Sequence, residues 1–114
     1  MSEQPIVSIE KRESGRVATL RCRGMDFEAS QALKNAVDRS EAEAPCKRWV
    51  IDMSTVEFVP SVGIGMLVKL LNASKAQSGE FVLVGVNSKI REHFRISAIE
   101  QLFDFRDDMT RAFD

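Results

Sequence analysis

Apolar positions along this chain fall into two spacings, and the alternation between them predicts the order of elements. Ile6 to Arg12 sets Val7 and Ile9 on one side of an extended run, and Ser14-Gly15 marks a turn. From Val17 to Arg23, Ala18, Leu20 and Cys22 alternate with Thr19, Arg21 and Arg23, the period of a second strand. The two make a hairpin, expected at a sheet edge because the alternation implies one wet face. Gly24 ends it, Asp26 supplies an N-cap, and Ala29, Ala32, Leu33, Ala36 and Val37 line one stripe of a helix. The polar run Ser40 to Pro45 closes that helix.

The next run, WVIDM from Trp49, is short, apolar and rich in β-formers, the signature of a buried strand. Beyond it Ile64, Leu67, Val68 and Leu71 recur at helical spacing, with Met66, Leu70 and Ala73 as a second row. This helix is expected to reach about Gln77, with Gly79 as its C-terminal cap. Glu80 to Val86 is almost wholly apolar and predicts an interior strand, parallel to the previous one through a right-handed crossover. Ser88 is expected to cap a helix bearing Ile90 and Phe94, and Ser97 with Glu100 fits a capping box for a short helix. Phe103 and Phe105 mark a brief strand, and Asp107 opens a final helix with Met109, Ala112 and Phe113 inward. The order predicts a single α/β domain over residues 1–114. Its small mixed sheet is parallel in the centre, begins with a hairpin, and is covered by about four helices.

Between the central strand and the long helix lies the stretch with most chemical promise. Val56 and Phe58 are expected to anchor it, and Pro60-Ser61 leads into the helix with Ser61 at or beside the N-cap. Gly63 and Gly65 let other backbone come close. A hydroxyl beside the unpaired amides of a helix N-terminus suits an anion or a phosphoryl group. A capping serine is the structural alternative, worth about 1 kcal/mol. Both apolar rows of the helix can pack inward. Alternatively Val59, Val62 and part of the Met66 row stay exposed as a docking patch flanked by Lys69. Asp52, ending the strand, is placed to accept hydrogen bonds from loop amides.

Composition narrows the function. With 44% hydrophobic and 29% charged residues in 114, the chain is long enough to bury its own core. Sixteen basic and seventeen acidic side chains give a net charge of −1, too weak a field to recruit nucleic acid or an anionic membrane. The opening MSEQPIV lacks the pattern of a signal peptide, and no apolar run approaches membrane-spanning length. Cys22 and Cys46 have no CxxC spacing and His93 is the one histidine, which predicts reduced cytoplasmic thiols and no metal site. Gly63-Ile64-Gly65 lacks the third glycine of a dinucleotide loop, and Val59-Pro60-Ser61-Val62-Gly63 lacks the leading glycine of a nucleophile elbow. His93, between Ile90 and Phe94, is expected to be half-buried and structural. Neither a cofactor nor an enzymatic activity is predicted.

Three stretches taken together resemble a known family. VIDMSTVEFV, PSVGIGMLVKLL and GEFVLVGVNSKIREHFRISAIEQLFDFRDD are similar, in order and spacing, to the STAS domain of the anti-sigma factor antagonist type. The second matches its D-S-[ST]-G-[LI]-G motif, and the resemblance covers nearly the whole chain. It implies a binding module whose partner is an anti-sigma factor with serine kinase activity. The unphosphorylated antagonist binds that kinase and frees a sigma factor, so controlling transcription; phosphorylation ends this, and a phosphatase restores it. By position, the phosphoacceptor implied here is Ser61. Asp26 falls near an aspartate of the family's binding surface; Val59, Pro60, Val62, Gly63, Gly65, Met66 and Lys69 complete the expected partner surface. Pro60 stands where the family usually has aspartate, and Val62 replaces its second hydroxyl residue. Proline also stiffens the loop by fixing φ and removing one N–H. STAS domains serve, alternatively, as phosphorylation-independent subunits docking on the ATPase of lipid-trafficking ABC transporters, or as parts of STAS signalling scaffolds. The free protein is expected to be a monomer.

Overall fold

The computed structural model describes residues 5–113. The elements in order are β1 (Val7–Arg12), β2 (Gly15–Leu20), α1 (Phe27–Glu43), β3 (Arg48–Asp52), α2 (Ser61–Ala76), β4 (Glu80–Val84), α3 (Ser88–Ile96) and β5 (Asp104–Arg106). Short 3-10 turns occupy Glu100–Leu102 and Met109–Arg111. The sheet runs β1-β2-β3-β4-β5. Only β1 and β2 pair antiparallel, and every later neighbour is parallel. The α/β class, the hairpin and the parallel centre all match the expectation from sequence, with three α-helices among the described residues in place of about four. Among the described residues no helix is long and apolar enough to cross a membrane.

The hairpin lies at the sheet edge as expected, with β1 outermost, but the wet face implied by the alternation is not found on β2. β2 is not a half-wet edge strand, because β3 takes up its second edge in register Val17 with Val50. Arg16, Val17, Ala18 and Leu20 are all buried, and β1 is the edge. A charged residue tolerates this position because its guanidinium is hydrogen-bonded and lies 3.9 Å from the Glu41 carboxylate. Arg16 donates to the carbonyl and hydroxyl of Ser40 at 2.8 and 2.6 Å, and to the carbonyl of Ala44. It also lies 5.8 Å from the centre of the Trp49 ring. α1 has no basic residue in its own last turn. The strand therefore supplies the cation that satisfies the helix's terminal carbonyls and complements its dipole.

Both faces of the sheet are covered. Leu20, Ile51 and Leu83 pack beneath Leu33 of α1, Leu67 of α2 and Phe94 of α3. On the other face Val17, Val50, Val82 and Val84 lie under Ala112, with Met109 and Phe113 beside it. The expected final helix is instead one 3-10 turn, since seven residues cannot repay helix nucleation. Arginines hold the segment down: Arg48 donates to the Ala112 carbonyl at 2.7 Å and Arg106 to that of Arg111 at 2.6 Å.

Helix ends follow local chemistry one residue away from several expectations. Asp26 caps α1 as expected, its Oδ1 accepting from the Ala29 amide at 2.9 Å. Asn87, not Ser88, caps α3, accepting from Ile90 at 2.8 Å. Ser97 is the C-cap of α3 and opens no capping box. α2 ends at Ala76, where Ser78 donates to Lys75 at 3.0 Å and Gly79 to Ser74 at 2.8 Å, the paired bonds of a Schellman motif. Ser78, rather than Gly79, takes the left-handed conformation, with φ 59°. Gly79 is required for closeness: a Cβ there would stand 2.9 Å from the Lys47 carbonyl oxygen. α3 ends the same way on Ala98, with φ 60° and bonds from Ala98 to Arg95 and Ile99 to Phe94.

An alanine in the left-handed region carries a Cβ penalty that glycine lacks. Ala98→Gly is expected to stabilise the fold by about 0.5–1 kcal/mol, raising the thermal midpoint by a few degrees. An unchanged or lower midpoint in thermal unfolding would refute this.

Candidate functional site

The loop from Met53 to Pro60 is tied down on three sides. Met53 is buried and donates to the Val84 carbonyl at 2.9 Å, and Asp52 Oδ1 accepts from the Ser54 amide at 3.0 Å. The Thr55 hydroxyl donates to the Leu20 carbonyl at 2.9 Å, while Asn87 Nδ2 donates to Val56 and Glu57 carbonyls at 3.2 and 3.4 Å. Toward the end of the hairpin, Glu57 and Phe58 donate to Arg23, and the Met25 amide donates to Phe58 at 3.1 Å. An Arg23–Glu57 ion pair at 3.0 Å closes this side. Val56 and Val59 turn into the core. Burial of Val59 corrects the expectation that it stays exposed; it supports the loop from beneath. Phe58 is no inward anchor either. Its ring lies over Gly24, where a Cβ would come within 2.3 Å, and remains 54% exposed.

Pro60, not Ser61, occupies the N-cap of α2, and it contributes no side-chain cap hydrogen bond. Ser61 is the first helical residue and is exposed. Its hydroxyl is thus outside the capping geometry, beside a helix start whose first amides have no intrahelical acceptor. Gly63 carries the packing: a Cβ there would stand 2.6 Å from the Met25 carbonyl oxygen and 2.8 Å from Val59. Gly65 does not share this role, since nothing lies within 4 Å of its Cβ position. Val62, Gly65 and Lys69 follow one outward line of α2 with half-buried Met66 beside them, whereas Leu67, Leu70 and Leu71 face the core. Burial of Leu70 splits the second apolar row. Ala73, at its end, is exposed.

Asp26 reaches the same end of the molecule, because Met25, the residue before it, abuts Gly63. Sequence reasoning missed Phe27, which is 68% exposed in the first turn of α1. Its position carried the signal: Phe27 shares a helix face with Gln31, Lys34 and Asp38, opposite the stripe through Ala29 and Leu33. Phe27, Phe58 and Val62 are thus three exposed apolar side chains on the segments that meet around Ser61. His93 takes no part, and it is exposed where a half-buried position was expected. Cys22 lies near Asp26: burial, and then the Asp26 carboxylate, push its thiol above the ordinary range. For Cys46 burial dominates, again upward.

Gly63→Ala is expected to cost about 1–3 kcal/mol by overpacking against the Met25 backbone. Gly65→Ala should gain about 0.8–1 kcal/mol of helix propensity. Urea unfolding of the pair checks both signs. Asp26→Asn keeps a competent N-cap while removing the charge. A raised thiol pKa means little thiolate at pH 8, so alkylation of Cys22 by iodoacetamide should be slower than for free cysteine and should speed up in Asp26→Asn. Equal rates in the two proteins would contradict the assigned cause.

Comparison with known proteins agrees with this fold. The family model for the STAS domain matches residues 8–112. A STAS-domain containing protein of Pseudomonas aeruginosa (strain UCBPP-PA14) is 30% identical over 90 residues, covering 78% of this chain and 87% of that protein. An anti-sigma factor antagonist from Mycobacterium paratuberculosis superposes with a TM-score of 0.77 at 24% identity, over 93% of this chain and 88% of its own. The anti-sigma factor antagonist SpoIIAA in its unphosphorylated form gives 0.74 at 14% identity, over 91% and 90%. The phosphorylated form of the Bacillus cell fate determinant SpoIIAA gives 0.69 at 14%, over 91% and 94%. With its sheet, its helix order and a family match spanning nearly all described residues, this chain belongs to the STAS domain family.

Proposed function

We propose that this protein is an anti-sigma factor antagonist of the cytoplasm, a binding module that docks on an anti-sigma factor with serine kinase activity and is itself the substrate, at Ser61. The observation that carries the reading is the setting of Ser61. Its hydroxyl is exposed at the first turn of α2, on a loop made rigid by hydrogen bonds, among exposed Phe27, Phe58 and Val62. Exposed apolar side chains grouped on one end of a small domain favour a protein partner over a small substrate. Asp26, Gly65, Met66 and Lys69 extend that surface, Val59 and Gly63 hold its shape, and Pro60 stiffens the approach.

The switch is electrostatic. A phosphate on Ser61 adds about −1.5 to −2 charges and three acceptor oxygens. The helix N-terminus tolerates that charge within the protein, since amide dipoles point toward it. An apolar interface does not, because the phosphate must then lose its water without a matching cation. Phosphorylation therefore releases the partner without refolding the domain, and a phosphatase restores binding.

Intact mass and phosphopeptide mapping on protein from its native cells should find phosphate on Ser61. Ser61→Asp should weaken binding to the kinase captured with the wild-type protein at least about tenfold, while Ser61→Ala should retain it. Absence of phosphate in every growth condition, together with unchanged binding by Ser61→Asp, would overturn the proposal. So would capture of a transporter ATPase in place of an anti-sigma kinase.

A further inference from the structure

The two faces of the sheet are covered very differently. Leu20, Ile51 and Leu83 lie under large side chains of three helices. Val17, Val50, Val82 and Val84 form a separate cluster on the other face, each at most 2% exposed. Their apolar cover among the described residues is Met109, Ala112 and Phe113. Residues 107–113 leave β5 after Arg106 and cross the sheet to the turn between β1 and β2. There a ring carbon of Phe113 lies 3.0 Å from the Cβ position of Gly15. The 3-10 turn Met109–Arg111 is the regular structure in this segment, and Asp107, Asp108, Thr110 and Arg111 are exposed on its outer side.

Main-chain bonding does not tie the segment to the sheet. Its internal bonds, Arg111 to Asp108 and Ala112 to Met109, each span 3.2 Å, and among the described residues no main-chain bond joins it to a strand. The anchors are side chains, Arg48 on the Ala112 carbonyl and Arg106 on that of Arg111. Each anchor also has a partner outside the segment. Arg48 is paired with Glu80 and Arg106 with Asp104, so release of the segment leaves neither guanidinium stranded. Release breaks no ladder bond, and no residue of the segment belongs to the cluster under the helices. A unit with few apolar contacts and no ladder opens at a lower free energy than the whole domain.

We propose that residues 107–113 are a detachable strap, which opens as a unit while the rest of the domain stays folded and uncovers the valine face as a second apolar surface. The device is independent of the reading of Ser61.

Neighbouring residues of β4 report on the two faces separately, because Val82 and Leu83 are both fully buried but on opposite sides. Val82→Cys and Leu83→Cys are made in a protein whose own part-buried thiols are removed by Cys22→Ala and Cys46→Ala. Labelling by dithionitrobenzoate in native buffer is referred to the urea unfolding of each variant. Val82→Cys should react at least about tenfold faster than its global unfolding allows, and Leu83→Cys no faster than global unfolding allows. Arg106→Gln should speed the first about fivefold, as expected for one lost hydrogen bond, and leave the second unchanged relative to its unfolding. Hydrogen exchange tests the protein without substitution. The buried Ala112 amide should exchange with little dependence on urea, and the Leu83 amide with the steep dependence of global unfolding. Labelling of Val82→Cys through global unfolding only would overturn the proposal, as would an Ala112 amide with the urea dependence of the Leu83 amide.

Discussion

The contact between the first turn of α2 and the backbone of Met25 is the constraint on which the end bearing Ser61 depends. It exists because residue 63 has no side chain: the Met25 carbonyl occupies the space a Cβ would need. Met25 is itself buried, bonded through its amide to Phe58, and its carbonyl accepts from the Ser30 hydroxyl at 3.3 Å. The next residue, Asp26, caps α1. One close approach thus fixes the starts of both long helices and the loop before α2 as a single body. Ser61 and the segments carrying Phe27 and Phe58 are thereby joined, which on the proposed reading lowers the entropy a docking partner would cost.

The opposite end is organised by one cation. Arg16 satisfies the closing carbonyls of α1 and lies over Trp49, so a strand residue caps the end of a helix. A buried arginine is stable here only because its donors meet carbonyls fixed by a helix terminus. The two ends of the domain therefore use different physics: apolar closeness and backbone bonding near Ser61, charge-assisted hydrogen bonds near Arg16.

Element order, the parallel centre and the site loop were legible because periodicity and turn residues are local properties. Ala29, Leu33 and Val37 announced one buried stripe, and the run through Val82 and Leu83 announced a strand wet on neither face. What escaped was set by tertiary partners. β2 has the alternation of an edge strand, yet β3 and α1 enclose it, and nothing local to Arg16 shows that Ser40 and Ala44 await its guanidinium. Ser61 falls beside the N-cap, one of the two positions the sequence allowed, and only the backbone angles at Pro60 decide between them. The exposure of Phe58 depended on Gly24, far away in sequence. Phe27 alone was both missed and readable, since its helix face is otherwise polar.

Pro60 at the cap leaves Ser61 inside a formed helical turn, where its backbone is committed to α2. Any enzyme acting on this hydroxyl meets a folded surface and not an extended strand of peptide. Its recognition elements must then come from segments distant in sequence: the start of α1, the crossing at Gly24 and Phe58, and the outward line of α2. A linear peptide copied from the loop would present the same serine with none of that geometry. Specificity of this kind resides in the fold, and a consensus motif around the serine would not reveal it.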